Sequence, residues 1–253
     1  MQNLNTKIRS NSVLLDWVTE YKEYENSKIF SLIDHLLAVQ QENKLDLGES
    51  WQYYFPFNAS NTKSTDERYT SFIEFLRHSY YRPRDIITML DIMKENASLD
   101  KGKSVFIRND FDNKSFKTKY SNYVLGEIKD QLLFYYQVGD YELFLKFFEF
   151  LEGKQGFNYD EYLLIFEKYE KYLESLDKEK PKFTTSANEF LQFLYDLNII
   201  CYIEYVQGHN NKFFHWCFKE RSYSNITPKV KENREYQIFY SLTKALKIGK
   251  EYV

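Results

Sequence analysis

IICYIEYVQGHNNKFFHWCF, residues 199–218, says more about the architecture than any other stretch of the chain. β-Branched and aromatic residues crowd both halves, and Gln207-Gly208-His209-Asn210-Asn211 separates them. Two such runs around a short Gly/Asn cluster predict a β-hairpin with a five-residue loop. Upstream, apolar residues recur at helical spacing over residues 141–152, 160–176 and 186–197. Three helices followed by a hairpin is the element order of a winged helix. Residues 136–253 are therefore expected to form a winged-helix-like unit with its wing at 199–218, followed by a C-terminal helix over residues 235–247.

Working outward, the composition sets limits. A chain of 253 residues can hold one large core or two smaller ones. Only 8 Gly and 4 Pro favour long helices over turn-rich β architecture. The 23 Tyr and 22 Phe imply cores built from large rings. A net charge of −3 argues against one broad electrostatic footprint for DNA or RNA. No basic segment precedes an apolar run at the N-terminus, and no long apolar stretch occurs, so neither export nor membrane spanning is expected. Two cysteines make no disulfide framework, and a cytoplasmic location is the expectation.

The first 135 residues also read as helical. Leu14, Trp17, Val18 and Tyr21 share one face over residues 10–22. Asn26-Ser27 caps a second helix carrying Ile29, Leu32, Ile33 and Leu36. Residues 42–65 read as a polar loop with an aromatic island, in which Trp51, Tyr53, Tyr54 and Phe55 are candidate partner-binding rings. Ser64 and Glu67 have capping-box spacing. The helix that they open carries Phe72, Ile73 and Leu76, and the next starts at Pro83 with Ile86, Met89, Leu90 and Met93 inward. Residues 119–136 look helical again, up to a break at Gly139-Asp140.

HSYYRPRDIITML, residues 78–90, sets Arg82 and Arg84 around the proline that opens a helix. Pro83 suits the first helical position, because its missing N–H needs no partner there. Asp85 is favourable at the positive end of the helix dipole and Arg84 is not. Helix-start N–H groups beside guanidinium forks make a site for phosphate or carboxylate. The alternative is that both arginines pair with nearby acids, such as Asp85, Asp66 or Glu67.

YRPRDII, preceded by YTSFIEFLRHSY, resembles the RPRD segment of bacterial P-loop ATPases related to the STAND and AAA+ classes. VLLDWVTEY and SKIFSLIDHLLAVQ resemble the helices before that element. KYSNYVLGEIKDQL resembles the helix after it, and FLQFLYDLNIICYI resembles the late helix entering a wing. The resemblance implies a helical lid over residues 1–135, with Arg84, and second to it Arg82, sensing phosphate of a nucleotide held on another domain. It implies ATP and Mg only through an ATPase domain in cis or in trans, and a regulatory role in bacterial defence or stress. The ATPase core itself is absent. Gly102-Lys103-Ser104 mimics the end of a phosphate loop, but the required upstream glycine is Ala97. The chain then reads either as part of a larger ATPase or as a relative without the motor.

Other chemistries find less support. Cys201, His209, His215 and Cys217 converge on the hairpin, and a turn centred on His209 would set the two cysteines opposite each other. They lack the spacing of a zinc site and read as core thiols, so no metal is expected. As a recognition helix, residues 186–197 carry Glu189 and Asp196 and neither Lys nor Arg. Lys212, Lys219 and Arg221 are the candidate nucleic-acid contacts near the wing. No nucleophile motif occurs. The expected function is non-catalytic coupling of an ATPase's nucleotide state to a partner. The alternatives are a stand-alone protein-binding adaptor and a winged-helix DNA-binding regulator.

Overall fold

A computed structural model describes residues 16–41, 45–46, 48–58, 70–97, 105–176, 178–205, 212–222 and 224–249. The protein is mainly helical, with one small four-stranded antiparallel sheet. It divides into two compact units, Leu15–Tyr120 and one built on Ser121–Val253. The division falls within a helix, whereas the expected limit at residue 135 lies in the turn after that helix.

In the first unit, helix α1 (Lys28–Ala38) starts where Ser27 Oγ accepts the Phe30 N–H at 3.2 Å. The helix expected over residues 10–22 is not seen in its described part. The chain instead makes a 3-10 turn at Tyr21–Asn26, which turns Tyr24 inward against Phe30 and Phe72. Helix α2 (Glu49–Tyr54) replaces the expected docking loop. Its cause is remote in sequence. Asp34, fully buried on α1, accepts the N–H groups of Gly48 at 2.6 Å and Trp51 at 2.7 Å, so the start of α2 is capped from outside. Helices α3 (Ser71–Arg77), α4 (Pro83–Ala97) and α5 (Arg108–Phe111) follow. Pro83 opens α4 as expected, with Ile86, Met89 and Met93 buried. Trp51, Phe55, Phe72, Phe75 and Phe111 form a continuous ring cluster, in which Trp51 stacks on Phe55 at 4.4 Å. The Ser64–Glu67 pattern and Gly102-Lys103-Ser104 lie outside the described residues.

Helix α6 (Lys114–Leu133) buries Phe116, Tyr120, Val124, Ile128 and Leu132, one every four residues. In the second unit come α7 (Val138–Glu149), β1 (Gly156–Asn158), α8 (Tyr159–Ser175) and α9 (Ala187–Asp196). The hairpin β2 (Ile200–Tyr205) and β3 (Lys212–Trp216) follows, then α10 (Cys217–Glu220) and β4 (Glu235–Ile238). Asn158 and Glu161 close a reciprocal cap on α8, and Ser186 Oγ accepts the Glu189 N–H to start α9. Phe147, Tyr169, Phe183, Phe190 and Phe193 interlock beneath these helices.

The sheet order is β1-β4-β2-β3. The helix expected over residues 235–247 is a strand at its start. Tyr236 and Ile238 alternate inward, and β4 fits antiparallel between β1 and β2, so sheet pairing overrides the uneven helical spacing. The two runs pair as an antiparallel hairpin, but its register sets Cys201 opposite Trp216, not Cys217, and Cys217 already begins α10. His209 and the rest of the tip lie outside the described residues. Among the described residues, no helix is long and apolar enough to cross a membrane.

Candidate functional site

Two arginines flank Pro83 at the start of α4. Arg82 lays its guanidinium along the Asp85 carboxylate, with Nε–Oδ2 2.9 Å and Nη2–Oδ1 2.6 Å. Asp85 is buried and also accepts the Tyr80 N–H at 2.9 Å. Arg82 thus neutralises an internal carboxylate that holds the turn into α4, a structural duty consistent with the pairing alternative. Arg84 is exposed in the same first turn.

The aromatic island separates into core and surface. Trp51 and Phe55 are buried, so the docking role expected for them is corrected. Trp51 Nε1 donates to Ser71 Oγ at 2.9 Å, and Ser71 Oγ donates to the Phe55 carbonyl at 2.7 Å. The physical reason is the four-residue spacing of the two rings, which sets Phe55, just past the end of α2, against Trp51 on its inner side. Tyr53 is exposed and Tyr54 half-buried.

Around the hairpin, ionic groups pair with one another. His215 stacks on Tyr202 at 4.6 Å, with Nε2 3.2 Å from Glu204 and Nδ1 2.9 Å from Glu220. Glu204 also accepts from Lys231 at 3.0 Å and Arg234 at 3.3 Å; the hydrogen bond from Lys231 is the main cause that lowers its carboxyl pKa. Lys212 approaches Glu235 at 3.8 Å and lies over the Tyr205 ring, and Arg221 donates to the Asp196 carbonyl at 3.2 Å. Lys219 is half-buried on α10. Burial pushes the Cys201 thiol up to about 12 and the Cys217 thiol up to about 11, the opposite of what a thiolate ligand or nucleophile needs. Among the described residues, no group of His, Cys, Asp and Glu is arranged to hold a metal.

Helix α9 is covered by its own chain. Gln192 donates to the Pro228 carbonyl at 3.0 Å and accepts the Val230 N–H at 3.0 Å, and Asn188 donates to Glu232 at 2.9 Å. Residues 228–232 are thereby strapped across its polar side. A groove of about 640 Å³ lies nearby, lined in part by Asn158, Tyr159, Asp160, Tyr205 and Arg234.

Sequence reasoning missed the turn between α6 and α7. Phe134 is 80% exposed, Tyr135 76% and Val138 58%. The two rings meet edge to face at 4.9 Å. The available signal was the four-residue stripe of α6: it reaches Leu132 and Tyr136 and leaves Phe134 and Tyr135 off it. Tyr135 also lines a groove of about 850 Å³ with Tyr172, Leu176 and the lysines of residues 178–182. No family model, curated protein or solved structure matches this chain.

Proposed function

We propose that this chain is a non-catalytic adaptor that works by docking other proteins, and that its second unit is of winged-helix type. The element order α7–β1–α8–α9–β2–β3 supports the winged-helix reading, with α9 in the place of a recognition helix and β2–β3 as the wing. The observation that carries the docking reading is the strap over α9. The polar side chains that would meet base edges are bonded instead to residues 228–232. Glu189 and Asp196 would meet phosphates as like charges. The test is titration of the full chain with duplex DNA between roughly 50 and 200 mM salt. The expected result is no saturable binding; tight binding that weakens steeply with salt would sink the adaptor reading.

A second reading keeps the nucleotide link. Arg84 stands exposed beside Pro83 in the first turn of α4. In this reading Arg84 faces the terminal phosphate of ATP held, with Mg, by a P-loop ATPase domain in cis or in trans. Loss of that phosphate then releases the first unit. Arg84→Ala in the ATPase-containing assembly should weaken nucleotide affinity or turnover; if both are unchanged, this reading fails.

A further inference from the structure

We infer that the open edge of β3 pairs antiparallel with β3 of a second copy of this chain, joining two four-stranded sheets into one. The inference goes beyond the adaptor reading and stands without it.

The phase of the ladder tells which backbone groups face outward. The Phe239 N–H donates to the Ile199 carbonyl at 2.8 Å, one step beyond the β2–β4 pairs and in the same register. Bonded positions alternate in an antiparallel pair, so Cys201 and Ile203 turn their backbone groups toward β4. Tyr202 and Glu204 then turn theirs toward β3, where their partners are His215 and Phe213. The N–H and C=O groups of Lys212 and Phe214 are left pointing away from the sheet, because β3 is its last strand. Among the described residues, no backbone hydrogen bond from another element reaches them.

The strand also lacks protection. Edge strands are kept apart by proline, by bulges or by charges along their length. β3 pairs with β2 without a bulge, contains no proline and carries one lysine, at its first position. Phe213 is 54% exposed within it. The opposite edge, β1, is only three residues long and runs straight into α8.

The order of the five side chains, Lys212 to Trp216, favours a second copy as the occupant. A two-fold axis at Phe214 is the register that pairs all five, and there Phe214 exchanges both backbone bonds with its counterpart. Lys212 meets Trp216 of the second copy rather than another lysine, so no like charges are opposed. The exposed Phe213 ring meets His215 of the second copy, an imidazole already stacked on Tyr202 at 4.6 Å. A foreign strand would use the same backbone groups, but the match at all five positions is supplied by β3 itself.

The experiment follows the mass and amide exchange of the full chain over a wide concentration range. Sedimentation equilibrium should give 30.7 kDa when dilute and twice that mass when concentrated. The Phe214 amide should exchange at least about ten-fold more slowly in the dimer, while the Phe213 and His215 amides, bonded to β2, are protected in both states. Phe214→Pro removes the outward N–H and spares the ladder to β2. Phe213→Ser removes a ring that the monomer leaves exposed. Each should weaken dimerisation at least about ten-fold with the circular dichroism unchanged. If Phe214→Pro does not fold, Phe213→Ser decides alone. A chain that stays monomeric overturns the proposal, as does a dimer whose Phe214 amide exchanges freely or one indifferent to Phe213→Ser. Slowed Phe214 exchange in a monomer on adding a peptide of alternating Thr and Val would give the edge to another protein's strand, and overturns the second copy. The adaptor reading is tested apart from this, by the DNA titration.

Discussion

Two aromatic runs of similar composition, WQYYF at residues 51–55 and FYY at residues 134–136, meet opposite fates. In the first, Trp51 and Phe55 lie four residues apart, disappear into the core and organise the first unit. In the second, three adjacent rings sit on the turn that follows α6, beyond the four-residue stripe of that helix, and they do not share one buried face. Only Tyr136 turns inward, against Phe183 and Phe193, and Phe134 and Tyr135 are left in solvent. Ring count therefore predicts neither burial nor docking; spacing against the neighbouring stripe does.

The strongest way to break this contrast is Trp51→Ala. It removes a buried ring that touches Phe55, Phe72 and Phe75, and it orphans Ser71 as an acceptor. Urea unfolding followed by circular dichroism should show a loss of about 3–5 kcal/mol. A loss under about 1 kcal/mol would mean that the island is a surface feature after all.

Asp34→Ala tests why α2 exists. Without the carboxylate the Gly48 and Trp51 N–H groups lose their acceptors in a buried place, an expected cost of about 1–3 kcal/mol. Hydrogen exchange at the Trp51 amide should accelerate in step. An unchanged exchange rate would show that α2 stands without its remote cap.

That dependence marks the limit of what the sequence made legible. Ser27, Pro83 and Ser186 could be placed at helix starts because each cap is local. The hairpin was legible from its two β-rich runs. Helix α2 was not, because its cap comes from Asp34 in another helix, and β4 was not, because its pairing partners are β1 and β2, far away in sequence. Among site residues, the core role of Trp51 and Phe55 was hidden by the polar residues around them. The exposed turn was hidden by an apolar run that reads as a helix continuing inward.

Buried titratable groups in both units should also make stability depend on pH. Burial holds the His78 imidazole below its usual range, so in the first unit the neutral ring is the folded form. The unfolded chain binds that proton first. The stabilisation is thus present above about 6.5 and is lost as pH falls through the lower folded value. In the second unit burial raises Cys201 to about 12, which favours the protonated thiol. That contribution is complete below the ordinary value of 9.0 and is lost as pH rises toward about 12. Urea midpoints across pH should show an acid limb flattened by His78→Gln and an alkaline limb flattened by Cys201→Ala. Limbs that survive both substitutions would place the titrating groups elsewhere.

The smallest effect sharpens the contrast most. Phe134→Ser should change stability by no more than about 0.5 kcal/mol, because the ring is in solvent and the turn backbone does not depend on it. Tyr136→Ser, two residues on, removes a ring held against Phe183 and Phe193 and should cost about 2–4 kcal/mol. If both variants melt alike, the exposed ring contributes to the fold. If Phe134→Ser leaves melting in place while Tyr136→Ser lowers it, folding gains nothing from the exposed ring, and spacing against the stripe of α6 has decided which ring the fold uses.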